Sequence, residues 1–205
     1  MKLKRRTFLS HLTGLALYSA ARSVQAQVTP PQSLGPFYPS TLPLDSDADL
    51  TFVGGRDGVA TGEVTNLHGQ VLDSNGMIIP NAEIEIWQCD AFGAYHKPPS
   101  SPGQDPFFQG YGRATSDQQG RYRFRTIKPV TYPGRAPHIH MKISTGTREL
   151  VTQIYVRGEP ANARDFLLNA IKDSDEKNSL IISFERNPAG ALDELDALFN
   201  PVLKA

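Results

Sequence analysis

His138 and His140 stand one residue apart in the segment TYPGRAPHIH, Thr131 to His140, of a chain that holds only five histidines. Arg135 lies three residues before the pair and Tyr132 three before that. On a β-strand, residues i and i+2 point the same way with Cα atoms roughly 6–7 Å apart, so two such imidazoles can converge on one metal ion. Taken alone, an HxH pair is better explained as two half-exposed histidines on a polar strand face. Three neighbours shift that balance: Tyr132 on a Pro- and Gly-bent loop, Arg135, and Tyr95 in the turn DAFGAYH that follows the run IEIWQ. No Asp or Glu is placed to complete the two-histidine, one-carboxylate set of ferrous oxygenases. The nearest oxygen donors are the phenols Tyr95 and Tyr132. A phenolate is a hard anion that favours a trivalent Lewis acid, and iron(III) is the biological candidate. Zinc held by two histidines would want a carboxylate or thiolate as third ligand. The residues by themselves leave open a zinc or copper centre in a hydrolase or oxidase, and a non-enzymatic exported β-sandwich binding module.

These groups need strands to carry them. In HIHMKIS, His138, His140 and Lys142 share one face, and Ile139, Met141 and Ile143 the other. GEVTNLHGQVLD, AEIEIWQ, RYRFRTI, VTQIYVRG and SLIISFE also read as strands, punctuated by the turns SNG, DQQG and STGTRE. Arg121, Arg123 and Arg125 form a solvated face opposite Tyr122 and Phe124. ANARDFLLNAIKD has the spacing of a helix, with Phe166, Leu167, Ala170 and Ile171 on its apolar side, and ALDELDALF that of a short terminal helix. Short strands at regular spacing predict an all-β fold: a β-sandwich of mainly antiparallel strands with an extended N-terminal arm and one or two short C-terminal helices. His68 is structural, Trp87 is packing, and His96 with Lys97 occupies a solvent-exposed turn. Phe107 and Phe108 either line a pocket or pack beneath a loop.

The 205 residues suffice for one domain with a real core. Acidic and basic residues balance at 21 each, which argues against nucleic acid and against a polybasic membrane surface. The one cysteine, Cys89, excludes an intramolecular disulfide and a cysteine-based zinc cluster, and reads as a buried, inert thiol. Residues 1–26 have the basic, apolar and small-residue parts of a signal peptide, with Arg5-Arg6 before Thr7-Phe8-Leu9 in the manner of a twin-arginine leader. Its apolar run is too short for a stable membrane anchor, so a periplasmic location is expected. Residues 27–62 read as an extended arm, on which Phe37 and Tyr38 pin the chain to the domain, and 63–205 as the catalytic domain.

GPFYP (35–39), the run 68–96 with its W-Q-x-D-x-x-G-x-Y pattern, the run 110–140 ending in T-I-K-P…Y-P…R-x-x-H-I-H, and VTQIYV (151–156) together resemble the intradiol ring-cleavage dioxygenases, the family of protocatechuate and catechol dioxygenases. The resemblance covers most of the chain beyond the leader. It implies a mononuclear ferric, Fe(3+), site in which Tyr95 is the retained phenolate ligand, Tyr132 the one displaced by substrate, and His138 and His140 the imidazole ligands. It further implies that Arg135 is the active-site arginine and that Gln153 lies near the metal and stabilises developing charge. The implied partners are an aromatic ortho-diphenol and O2, in a homo- or hetero-oligomer. One departure is visible: the insert that separates the displaceable tyrosine from the arginine in better-known members is missing, so a more open pocket is expected. The chain also lacks the helical N-terminal region of the catechol-cleaving branch.

Overall fold

The structure is a computed structural model that describes residues 26–96, 103–186 and 193–205. The leader lies outside these residues but for Ala26, as does Lys97. Eleven strands are formed among the described residues: β1 (Val64–Gln70), β2 (Leu72–Asp73), β3 (Glu83–Trp87), β4 (Tyr111–Thr115), β5 (Arg121–Ile127), β6 (His138–Ser144), β7 (Glu149–Val156), β8 (Ile181–Ile182), β9 (Glu185–Arg186), β10 (Leu195–Leu198) and β11 (Val202–Leu203). One helix, α1 (Ser174–Ser179), precedes β8, and the Asp173 carboxylate caps it on the N–H of Asp175 and Glu176. No helix among the described residues is long and apolar enough to cross a membrane.

The strands make a four-stranded sheet ordered β5-β1-β10-β9, a five-stranded sheet ordered β4-β3-β6-β7-β8, and the small pair β11-β2. Pairing is antiparallel except at β1–β10, β7–β8 and β11–β2. Period-two alternation explains the core. Leu67, Phe124 and Ala197 from one sheet share a single apolar cluster with Ile84, Ile86, Ile139, Met141, Ile143 and Ile154 from the other. Each such buried aliphatic or aromatic side chain contributes about 1.5–3 kcal/mol relative to an exposed one.

The five-stranded sheet is unusual in what it does with its other face. Register sets Tyr111 opposite Trp87, Trp87 opposite His140, and His140 opposite Gln153, with His138 opposite Tyr155. The arm covers this row. Gln32 N donates to the Val151 carbonyl at 2.8 Å, Gln153 Nε2 donates to the Ser33 carbonyl at 3.3 Å, Tyr155 Oη donates to Gln32 Oε1 at 2.9 Å, and Tyr38 Oη donates to Glu85 at 2.9 Å. At His138 and His140 the polar face of β6 is therefore buried like its apolar face, while Lys142 and Ser144 farther along it are half-buried.

Two sequence expectations fail at the C-terminal end. Ala161–Asp173 is not one helix but two 3-10 turns, Pro160–Arg164 and Leu168–Ala170. Asp165 is extended (φ −70°, ψ 118°), and its carboxylate accepts the N–H groups of Leu167 and Leu168, which offers the backbone an alternative to helical bonding. Phe166, assigned to the apolar face of a helix, is 65 % exposed. The expected terminal helix is also absent: its first two residues are not described, and Leu195–Leu198 is strand β10, parallel to β1. Leu195, Ala197 and Phe199 point inward at period two, and the unpaired edge of β1 decides between that pattern and the helical one.

The arginines of β5 also differ from a plain solvated face. Arg125 reaches Glu194 at 2.7 Å and Asp49 at 3.3 Å, which ties residues 45–51 and β10 to the sheet. The Arg125 hydrogen bond holds the Glu194 carboxyl below the ordinary glutamate range. A carboxyl so depressed contributes stability in full above its unfolded-state pKa of about 4.3, and loses it as pH falls through the lower folded-state value. Glu194→Gln should therefore cost on the order of 1 kcal/mol near neutrality. In urea titrations the gap from wild type should narrow steadily below about pH 4; a gap constant with pH would contradict the ion pair.

Candidate metal centre

Two tight loops and one strand deliver the chemistry-bearing groups. After β3 the chain turns back at Asp90, whose carboxylate accepts the N–H of Phe92 (2.9 Å), Ala94 (3.0 Å) and Asp105 (2.8 Å) and meets His96 Nε2 at 3.1 Å. Gly93, at φ +79°, closes that turn with a conformation glycine adopts without Cβ strain. The turn presents Tyr95, whose oxygen lies 3.4 Å from His138 Nε2. The second loop is the Tyr132–Arg135 turn, closed by the Arg135 N–H on the Tyr132 carbonyl at 3.0 Å. It sets the Tyr132 ring 5.5 Å from both the Tyr95 and His138 rings. His138 and His140 come from β6, and their Nε2 atoms are 3.3 Å apart. The four residues thus surround one centre.

The surroundings fix the protonation of these groups. His138 Nδ1 lies 2.6 Å from the Ala136 carbonyl and so carries the proton, which turns the lone pair of Nε2 toward His140. Burial, with Arg135 adding to it, pushes His138 down to about 4. Burial, then His138 and Arg135, hold His140 well below the usual histidine range. Burial raises the phenols of Tyr95 and Tyr132 above the ordinary tyrosine range, with Arg135 opposing it. His140 Nδ1 is buried without a hydrogen-bond partner, and Trp87 stacks on the His140 ring at 4.8 Å. Neutral imidazoles offering lone pairs, beside buried phenols that ionise only against strong positive charge, fit a trivalent metal ion. No group of three or more His, Cys, Asp or Glu able to hold a metal occurs among the described residues, and the oxygen donors beside the two imidazoles are the phenols of Tyr95 and Tyr132.

Arg135 borders the centre. Its Nη2 donates to Gln153 Oε1 at 2.6 Å and to Tyr155 Oη at 3.2 Å, its Nη1 reaches Tyr132 Oη at 3.4 Å, and its Nε reaches Asp165 at 2.9 Å. A cleft of about 540 Å³ opens beside it, lined by Thr131, Tyr132, Pro133, Arg135, Arg164 and Asp165 among others.

All six residues singled out in the sequence, Tyr95, Tyr132, Arg135, His138, His140 and Gln153, lie in this region. Gln153 accepts a hydrogen bond from Arg135 and sits opposite His140 in the sheet. The structure also places the other residues weighed in the sequence. Phe37 pins the arm by stacking face to face on Tyr95 at 4.2 Å, so it belongs to the centre. His96 is not simply a solvent-exposed turn residue, because Asp90 draws it inward. Trp87 packs, but on a histidine of the centre. Phe108 is in the core. Cys89 is buried, which raises its thiol to about 11 and suits the inert role. Sequence reasoning gave Tyr155 and Asp165 no role, and met Asp90 only as the aspartate of the W-Q-x-D-x-x-G-x-Y pattern. An aspartate interrupting an apolar helical period was the available signal for Asp165; Tyr155 gave none beyond its strand.

Comparison with known proteins agrees with the geometry. The Dioxygenase_C family, described as "Dioxygenase", matches residues 34–205. The protocatechuate 3,4-dioxygenase beta chain of Burkholderia cepacia is 38 % identical over 74 % of this chain and 65 % of its own length. A hydroxyquinol 1,2-dioxygenase of Rhodococcus opacus is 32 % identical over 89 % and 63 %. The chain thus spans a little under two thirds of the length of these curated relatives. Among solved structures, the dioxygenase domain of a dioxygenase–carbohydrate-binding fusion from Streptomyces sp. SirexAA-E superposes with a TM-score of 0.64, at 27 % identity, over 87 % of this chain and 99 % of that one.

The Asp90 carboxylate holds the Tyr95 turn through the backbone N–H groups of Phe92 and Ala94 and ties it to that of Asp105. Asp90→Ala should lower unfolding stability by about 2–4 kcal/mol. The urea midpoint measures this, and a loss under about 0.5 kcal/mol would remove Asp90 as the anchor of the turn.

Proposed function

The chain belongs to the Dioxygenase_C family, that of the intradiol ring-cleavage dioxygenases, and from that premise we propose that it cleaves an ortho-diphenol with dioxygen between the two hydroxylated carbons. The product is a muconate-type diacid. One diol and one O2 account for all its atoms, so no further oxidant or reductant enters. The observation that carries the reading is the convergence of Tyr95 Oη and His140 Nε2 on His138 Nε2, at 3.4 and 3.3 Å, with Tyr132 beside Arg135.

Tyr95, Tyr132, His138 and His140 would hold iron(III), which when bound supplies Lewis acidity toward the diol and an open-shell route for the reaction of its ring with dioxygen. The chain's own residues do the rest. Phe37 and the Asp90 turn keep Tyr95 in place. Tyr132 lines the open cleft and, as the phenolate it would be when holding the metal, is the group able to give way to an incoming diol, its oxygen taking the proton of one diol hydroxyl and becoming the neutral phenol. Arg135 Nη1 then faces the place vacated by that phenol and stabilises negative charge on the bound diol. Gln153 holds Nη2 of the same guanidinium.

Catechol, protocatechuate, hydroxyquinol and larger lignin-derived diols all meet the chelation requirement, and the short Tyr132–Arg135 turn favours a substrate that needs room. The same reading includes export by the twin-arginine route to the periplasm with the metal already bound, and assembly into a homo- or hetero-oligomer. The name of one relative as a beta chain supports the latter.

Iron-replete protein should be burgundy from phenolate-to-iron charge transfer. It should consume O2 and diol one to one and yield the intradiol acid. Tyr132→Phe should lose part of the visible band and at least about 100-fold in kcat. A colourless iron-loaded protein, or an extradiol product, would overturn the proposal.

A further inference from the structure

The Asp165 carboxylate is fully buried, its side chain 0 % exposed, and each of its oxygens receives two donors. Oδ1 accepts the N–H of Leu167 (3.1 Å) and Leu168 (3.0 Å). Oδ2 accepts the Ala136 N–H (2.8 Å) and Arg135 Nε (2.9 Å). A carboxylate has about four lone-pair sites, so this one is saturated and cannot rotate without breaking a bond. It holds the 131–136 loop at two consecutive residues, one by backbone and one by side chain. With Nε engaged, the planar guanidinium can turn only as a whole. Its Nη1 is then directed at Tyr132 Oη and its Nη2 at Gln153 and Tyr155. Asp165 also sets the far side of the group. Its extended backbone breaks the helical period, and the next residue, Phe166, places its ring 5.5 Å from the Arg135 guanidinium carbon.

We propose that Asp165 is a positioning residue that aims the Arg135 guanidinium at the Tyr132 oxygen. Its effect on turnover rests on the ring-cleavage reading; its effect on the guanidinium does not. A purely structural role, as cap of the Leu168–Ala170 turn, predicts a loss of stability with no specific coupling to Arg135.

Asp165→Asn in the iron-loaded full chain separates the two roles, because the amide oxygen still accepts the turn N–H groups while the charge facing Arg135 is gone. The expected result is retained fold and visible absorption, with kcat reduced about 10- to 100-fold and KM changed much less. The double variant Arg135→Ala/Asp165→Asn should be no slower than Arg135→Ala alone, within about twofold. Multiplying effects, or an unaltered kcat in Asp165→Asn, would overturn the proposal. Nitrogen-15 NMR of the arginine side chains gives an arm independent of turnover. The Arg135 Nε–H should be among the slowest-exchanging arginine protons in wild type and should exchange quickly in Asp165→Asn. Fast exchange in wild type sinks the idea even if the variant does not fold. Absence of any diol cleavage by wild type would instead defeat the ring-cleavage reading, while the exchange comparison still decides the role of Asp165.

Discussion

Strand β6 is buried on both sides, and the candidate centre depends on that. Its inward residues Ile139, Met141 and Ile143 lie in the core between the sheets. Its outward residues His138 and His140 would face water if the five-stranded sheet were covered on one side only, as antiparallel sheets commonly are. The arm closes that side through Gln32, Ser33, Phe37 and Tyr38. Once enclosed, an imidazole or phenol holds charge only at a large desolvation cost. The histidines are thereby kept as neutral lone-pair donors and the tyrosines as neutral phenols. Such a set is suited to a central cation.

Buried carboxylates build the walls of the centre. Asp90 gathers backbone N–H groups to shape the Tyr95 turn, and Asp165 gathers them beside Arg135. Glu85, on the same sheet face as His140, accepts from the hydroxyls of Tyr38 and Tyr111 and pairs with Lys142 at 3.5 Å. Each satisfies the rule that a buried charge must be met by donors or a counter-charge. Glu85 ties the arm to the sheet, whereas Asp90 and Asp165 tie connecting segments to one another, so loop positions acquire strand-like definition. The short Tyr132–Arg135 turn belongs to this scheme. In it the arginine folds back on its own tyrosine, and both line the cleft.

Much of this was legible in the order of residues. Period-two alternation marked β1, β3, β5, β6 and β7, because side chains on a strand must point to opposite sides whatever lies beyond them. The i, i+2 spacing of the histidines dictated that they share a face, and the tyrosines and arginine nearby dictated the donor types. Tertiary structure decided where local signals were degenerate. Leu195, Leu198 and Phe199 suit a helix while Leu195, Ala197 and Phe199 suit a strand, and the free edge of β1 made the segment a strand. Phe166, Leu167 and Ala170 suited a helix until Asp165 found donors on a loop about 30 residues earlier in the chain. Which face of β6 meets water, and that Phe37 lies on Tyr95, depend on where the arm crosses the sheet. Those are contacts between segments far apart in the chain, so their energies leave no trace in local residue order.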